Sequence, residues 1–199
     1  MTDTPAISDR NLEATTHISL KREPACFAFL SERSISPPLS IDSINLDLAS
    51  ADYFQGRASV WTTLEIRSSI NNERPAALLG FDEAFLRPFA RALVEASTTR
   101  APFRMALGQD DDDNGRYRVV EYVTGSGKPL KQMVVQPFDN VVVISAAARD
   151  GDQALFQLPR TDSFLRAFAK TAYVADQALR DLLDEMERTA RRASDAGNG

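Results

Sequence analysis

Apolar and polar residues alternate with a period of two along much of this chain. Ile44, Leu46 and Leu48 are separated by Asn45 and Asp47, and Val60, Thr62, Leu64 and Ile66 alternate with Trp61, Thr63, Glu65 and Arg67. That period is the signature of a strand with one face buried. It predicts strands over residues 41–48 and 60–67, with shorter ones over 25–30 and 76–81. Residues 53–57 read as a turn or a short strand, and residues 71–75 as a turn. Beyond Asp82, a candidate helix N-cap, the period changes. Leu86, Phe89, Leu93 and Ala96 follow a helical spacing over a segment ending near Ser97.

The same order then recurs. Strands are predicted over residues 103–107, 116–124, 130–136, 141–146 and 154–158, with a hairpin turn at 125–129 and another turn at 137–140. Thr161 or Asp162 caps a second helix. The heptapeptide from Phe85 to Arg91 (FLRPFAR) reappears as FLRAFAK from Phe164 to Lys170, offset by 79 residues. The same ungapped offset lays Cys26, Phe27 and Ala28 over Met105, Ala106 and Leu107, and lays 60–66 over 139–145. A match that carries strands onto strands across a whole unit points to duplication, with repeats near 21–99 and 100–178. The expected fold is therefore α+β: two tandem ββββα repeats packed as a pseudo-dimer, because one such unit has a limited core. The expected divisions are a flexible leader (1–16), a first repeat (17–99), a second repeat with an extended helix (100–192) and a frayed tail (193–199).

The second helix carries its seam further than the first. Leu165, Phe168, Ala172, Ala175, Leu179, Leu182 and Met186 are spaced alternately three and four apart. Either both helical stripes cover their own sheets, or the helices pair with each other and Leu179, Leu182 and Met186 meet a second molecule. The second alternative makes the chain a homo-oligomer.

Charge narrows the functional classes. A net charge of −5 argues against a duplex-coating protein driven by bulk charge. Without the run Asp110 to Asp113, however, the second half is basic. One cysteine precludes an internal disulfide. No apolar run reaches membrane-spanning length, and the first residues lack a secretory signal, so a cytoplasmic location is the default expectation.

Candidate chemistry is sparse. Residues 110–121 fit a calcium-loop expression, with Asp110, Asp112, Asn114 and Glu121 as oxygen donors. The flanking segments read as strands rather than helices, so the run is an acidic hairpin tip. His17 is the only histidine and lies near the leader; Cys26 falls on an apolar strand. Residues 125–128 (GSGK) lack phosphate-loop spacing. No catalytic residue, metal or cofactor is assigned. Single-strand binders need aromatic rings on which bases stack and cations along the phosphates. Trp61 and Arg67 share one parity on their strand; Arg116, Arg118 and Tyr122 share one on theirs, with Lys128 and Lys131 nearby. Trp61 is either exposed on that face or buried by the other repeat.

The two strand-into-helix junctions, residues 79–86 (LGFDEAFL) and 158–165 (LPRTDSFL), complete a pattern that resembles the Whirly and Pur-alpha class of single-stranded nucleic-acid-binding proteins. The resemblance covers residues 21–178 and lies in topology and duplication. It implies paired four-strand-plus-helix units and non-catalytic binding of single-stranded DNA or RNA. The binding residues above come from face and chemistry, not from a family motif. The alternative is an acidic protein-interaction or chaperone-like module acting through its helices or sheet edges.

Overall fold

The computed structural model describes residues 16–20, 25–31, 34–54, 57–68, 77–81, 85–106, 118–121, 126–148 and 150–197. The fold is α+β. The first half contributes β1 (Thr16–Ser19), β2 (Cys26–Ser31), β3 (Ser34–Ile35), β4 (Leu39–Ser40), β5 (Ser43–Phe54), β6 (Arg57–Arg67), β7 (Ala77–Phe81) and α1 (Leu86–Thr98). The second contributes β8 (Phe103–Ala106), β9 (Arg118–Glu121), β10 (Ser126–Pro137), β11 (Val141–Ala148), β12 (Gln153–Pro159) and α2 (Asp162–Gly197).

The strands form two antiparallel runs. The first is β1-β5-β6-β7-β9; the second is β8-β10-β11-β12-β2. In each run the last strand comes from the other half of the chain. The start of β10, Ser126–Pro129, pairs with β9 and joins the runs, while β3 and β4 both pair with β2. The helices cross over too. α1 packs on β8 and β10, α2 packs on β1, β5 and β6, and the helices pack on each other. The sequence posed covering a sheet and pairing of helices as alternatives. Both occur, and each helix packs on strands of the opposite half.

These pairings also show where the ungapped offset goes astray. β1 pairs with β5 as β8 pairs with β10, and β2 pairs with β12 as β9 pairs with β7. By pairing, Cys26 to Ala28 in β2 therefore correspond to β9 rather than to Met105 and Ala106 in β8. The chain between β8 and β9 (107–117) is longer than that between β1 and β2 (20–25), and a gapless comparison cannot absorb the difference.

One core runs between sheets and helices. Leu64, Ile66 and Leu79 from the first run, Met133, Val135, Val142, Ile144, Phe156 and Leu158 from the second, and both helical seams are buried. Burying such aliphatic and aromatic side chains supplies the main driving force, about 1.5–3 kcal/mol for each. The stripe Leu86, Phe89, Leu93 and Ala96 is wholly buried, as are Leu165, Phe168, Ala172, Ala175, Leu179 and Met186. Phe85 is buried but Phe164 is half-buried, so these matched residues differ in environment.

Local structure corrects several expected boundaries. Thr16, expected at the end of the leader, belongs to β1 together with His17, which lies opposite Asn45. Ser126–Pro129, expected within a turn at 125–129, instead form a ladder with Arg118–Glu121. The N-cap of α1 is Phe85, which makes no side-chain capping bond. Thr161 does cap α2: its Oγ1 accepts from the Phe164 N–H at 3.3 Å. α2 continues through Gly197 rather than ending near 192, with an Arg191–Glu187 ion pair at i,i+4 spacing in its exposed last turns. Between β11 and β12, Gly151 adopts φ 94°, a backbone that glycine tolerates without a Cβ clash.

Two polar devices lock the helices. Asp176 on α2 is only 1% exposed. It accepts from Arg180 at 3.0 and 3.1 Å and from Arg87 of α1 at 3.0 and 3.3 Å. Burial alone would push its carboxyl up. The bonds and charges of Arg180 and Arg87 outweigh burial and hold it below the usual carboxylate range. Arg160 closes the C-terminal end of α1. Its guanidinium donates to the carbonyls of Ala96 at 2.8 Å and Thr99 at 2.9 Å, and also to Phe138 at 2.8 Å. The Ala96 and Thr99 carbonyls are ones the end of the helix leaves unpaired, and a cation suits that end of the dipole.

Candidate nucleic-acid interface

The first sheet brings together strands far apart in sequence. β7 lies between β6 and β9, so Thr63, Gly80 and Arg118 form one row across three strands. Adjacent strands lie about 4.8 Å apart, which puts β6 and β9 within about 10 Å. The neighbouring row is Leu64, Leu79, Val119 and Lys128. Leu64 and Leu79 are buried, whereas Glu65 and Arg67 are half-exposed. α2 therefore covers the side of β6 bearing Leu64 and Ile66; on the other side Glu65 and Arg67 are half-exposed, while the residues opposite them on β5, Asn45 and Ser43, are buried.

The expected binding residues divide on this lattice. Trp61 lies opposite Ser50 on β6, and Arg118 lies on the row adjoining the core row. Lys128 shares its row with buried Leu64 and Leu79, one position removed from Arg118. Arg67 lies at the end of β6 and is not a free cation. Its Nη2 and Nε donate to Glu65 Oε2 at 2.9 and 3.2 Å, and the Asn45 amide reaches the same oxygen at 3.4 Å. Lys131 is exposed and is the extra residue of a β-bulge between Leu130 and Gln132, where β10 pairs with β11. It belongs to the second run, apart from Arg67. Arg116, Tyr122 and the acidic run 110–113 lie outside the described residues.

The seam expected to meet a second molecule is covered by the chain itself. Leu179 and Met186 are buried, and Leu182 is half-buried against the same core. α2 reaches β1, β5 and β6, so the extension beyond the length of α1 serves as a lid on the first sheet.

The sequence reading missed a groove between the two helices. Its volume is about 380 Å³, and its walls include Val94, Ala169, Tyr173 and Val174, with Arg166 and Lys170 at the rim. Tyr173 is 42% exposed and Val174 51%. Arg166 is held by Asp162 at 2.7 Å. Lys170 makes no ion pair among the described residues. The available signal was Tyr173 and Val174 themselves, two large side chains off the seam of an otherwise polar helical face.

No protein-family model matches the chain, and no curated protein or solved structure matches it. Among the described residues, no helix is long and apolar enough to cross a membrane.

Proposed function

We propose that this protein binds single-stranded DNA or RNA, without catalysis, on the side of the first sheet away from α2, around β6, β7 and β9. The observation that supports this most is the Thr63–Gly80–Arg118 row. It leaves only one strand, β7, between the strand carrying Trp61 and the strand carrying Arg118, although these residues lie in different halves of the chain. In this reading a base stacks at Trp61 while Arg118 follows the phosphates. Arg67 contributes only by leaving Glu65, and Lys128 lies one register row away from Arg118. The two halves act as a duplicated pseudo-dimer of the kind found in the Whirly and Pur-alpha class, with fifth strand and helix exchanged.

The helix groove supports a second reading, a protein-interaction module that takes an apolar side chain against Tyr173 and Val174. Photocrosslinking with an oligothymidine, followed by peptide mapping, separates the two. Crosslinks in β6 or β9 support nucleic-acid binding on the sheet. Absence of any crosslink at low salt removes that reading and leaves the groove.

A further inference from the structure

We propose that the groove between the two helices docks an acidic amphipathic helix of another protein. The proposal rests on the second reading above, which makes the groove a protein contact, and it names the chemistry of the partner.

The helices lie antiparallel. Arg87 in the first turn of α1 reaches Asp176 well along α2, while Arg160, just ahead of α2, bonds the Ala96 and Thr99 carbonyls at the end of α1. Their inner sides meet through the buried rings of Phe89 and Phe168. Their outer sides leave the groove, walled by Val94 from α1 and by Ala169, Tyr173 and Val174 from α2. Tyr173 and Val174 are two of four large apolar side chains exposed among the described residues, and they are neighbours. A helix suits the furrow between two antiparallel helices, because it can lay residues at i, i+3 and i+4 into it as anchors.

Charge decides which helix. The residues lining the groove include the cations Arg166 and Lys170 and no carboxylate, in a chain whose net charge is −5. Arg166 and Lys170 stand one turn apart on α2, and Arg91 stands one turn before Val94 on α1. Arg91 and Arg166 are each held at 2.7 Å by a carboxylate of their own helix, Glu95 and Asp162. Both pairs are exposed, and exposed pairs are weak, so an incoming carboxylate can share those guanidiniums. Lys170 has no ion-pair partner among the described residues and is offered outright. The complement is an apolar stripe edged by Asp or Glu. A basic helix would meet like charge at this rim.

The groove is short, with a volume of about 380 Å³. Affinity should therefore sit in a few anchors against Tyr173 and Val174, while the carboxylates set orientation and the rate of encounter.

The test is selection of a display library of random peptides on the full chain, followed by fluorescence anisotropy of the enriched peptides. The expected peptides carry Leu, Ile, Phe or Met at helical spacing with Asp or Glu beside them. Val174→Glu should weaken their binding about tenfold or more, as the loss of an anchor contact does. Lys170→Glu should weaken it as well, and added salt should weaken it in the wild type. Both positions are exposed on α2. Circular dichroism checks the fold of each variant, and either one decides if the other misfolds. Enriched peptides that are apolar but not acidic, and are lost in Val174→Glu, overturn the proposal and leave the second reading standing. No enrichment, or peptides that bind both variants as they bind the wild type, overturns both. Displacement of the peptides by an oligothymidine also overturns the proposal, by giving the groove to nucleic acid.

Discussion

Phe89 of α1 and Phe168 of α2 meet edge to face, with ring centroids 5.5 Å apart and planes at 84°. They are the same position of the repeated heptapeptide, and each is fully buried. Each is also stacked or tilted against its own upstream phenylalanine, Phe85 at 5.1 Å and Phe164 at 6.2 Å. The four rings form the aromatic centre of the helix pair, where the two halves of the chain meet.

Truncating either central ring should therefore loosen both halves at once. Phe89→Ala and Phe168→Ala should each cost about 3–5 kcal/mol through lost transfer and a cavity. A double-mutant cycle by urea denaturation should give a coupling of about 0.5–1.5 kcal/mol, the range of a favourable aromatic pair. Additive effects would mean that the contact between these rings contributes little.

Asp176 makes the helix pair acid-sensitive. Its carboxyl is held below the usual range in the folded state. The stability it contributes is therefore present above the unfolded carboxylate pKa and is lost as pH falls through the lower folded value. Asp176→Asn should destabilise the protein at neutral pH by about 2–3 kcal/mol, since hydrogen bonds to charged groups are lost. It should also flatten the acid limb of a melting-temperature profile. An unchanged acid limb in the variant would show that other carboxylates carry that dependence.

Much of this arrangement was legible in the sequence. Both seams were visible as three-and-four spacing, and every seam residue is buried or half-buried. The alternation over 60–67 correctly separated Leu64 and Ile66 from Glu65 and Arg67. Partner choice was not legible, because period fixes which residues face inward but not what covers them. Hence β2 leaves its own half for β12, and the seam of α2 closes the first sheet. Arg67 illustrates a similar limit: its parity put it on the side away from α2, but its Glu65 partner depends on side-chain geometry. The β6–β7–β9 adjacency also lay beyond reach, since it depends on exchange between halves.

Because Leu179 is buried against the chain's own core, its substitution should act on stability rather than on mass. Leu179→Glu places a charge in an apolar seam, a change of several kcal/mol unless the helix end detaches. Thermal melting should show a large drop, and light scattering should give the wild-type mass for the fraction that remains folded. A stable variant of reduced mass would show that the seam joins two chains.

Arg160 should stabilise the end of α1 out of proportion to its partial burial. Arg160→Ala leaves the carbonyls of Ala96, Thr99 and Phe138 without their donor. It should cost about 1–3 kcal/mol by chemical denaturation. Hydrogen exchange should rise first in the last turn of α1. Uniform acceleration across the chain would instead place Arg160 in the global core.

The proposed function is tested most directly by titrating the full chain into labelled single-stranded and duplex oligonucleotides of one sequence at two salt concentrations. The account predicts tighter binding to the single strand and weakening with salt as counterions are released on phosphate contact. It predicts a loss of about 1–3 kcal/mol for Trp61→Ala, as expected for a stacked base. Arg118→Ala should chiefly reduce the salt slope. Equal affinity for duplex and single strand, or no binding to either at low salt, would contradict the account.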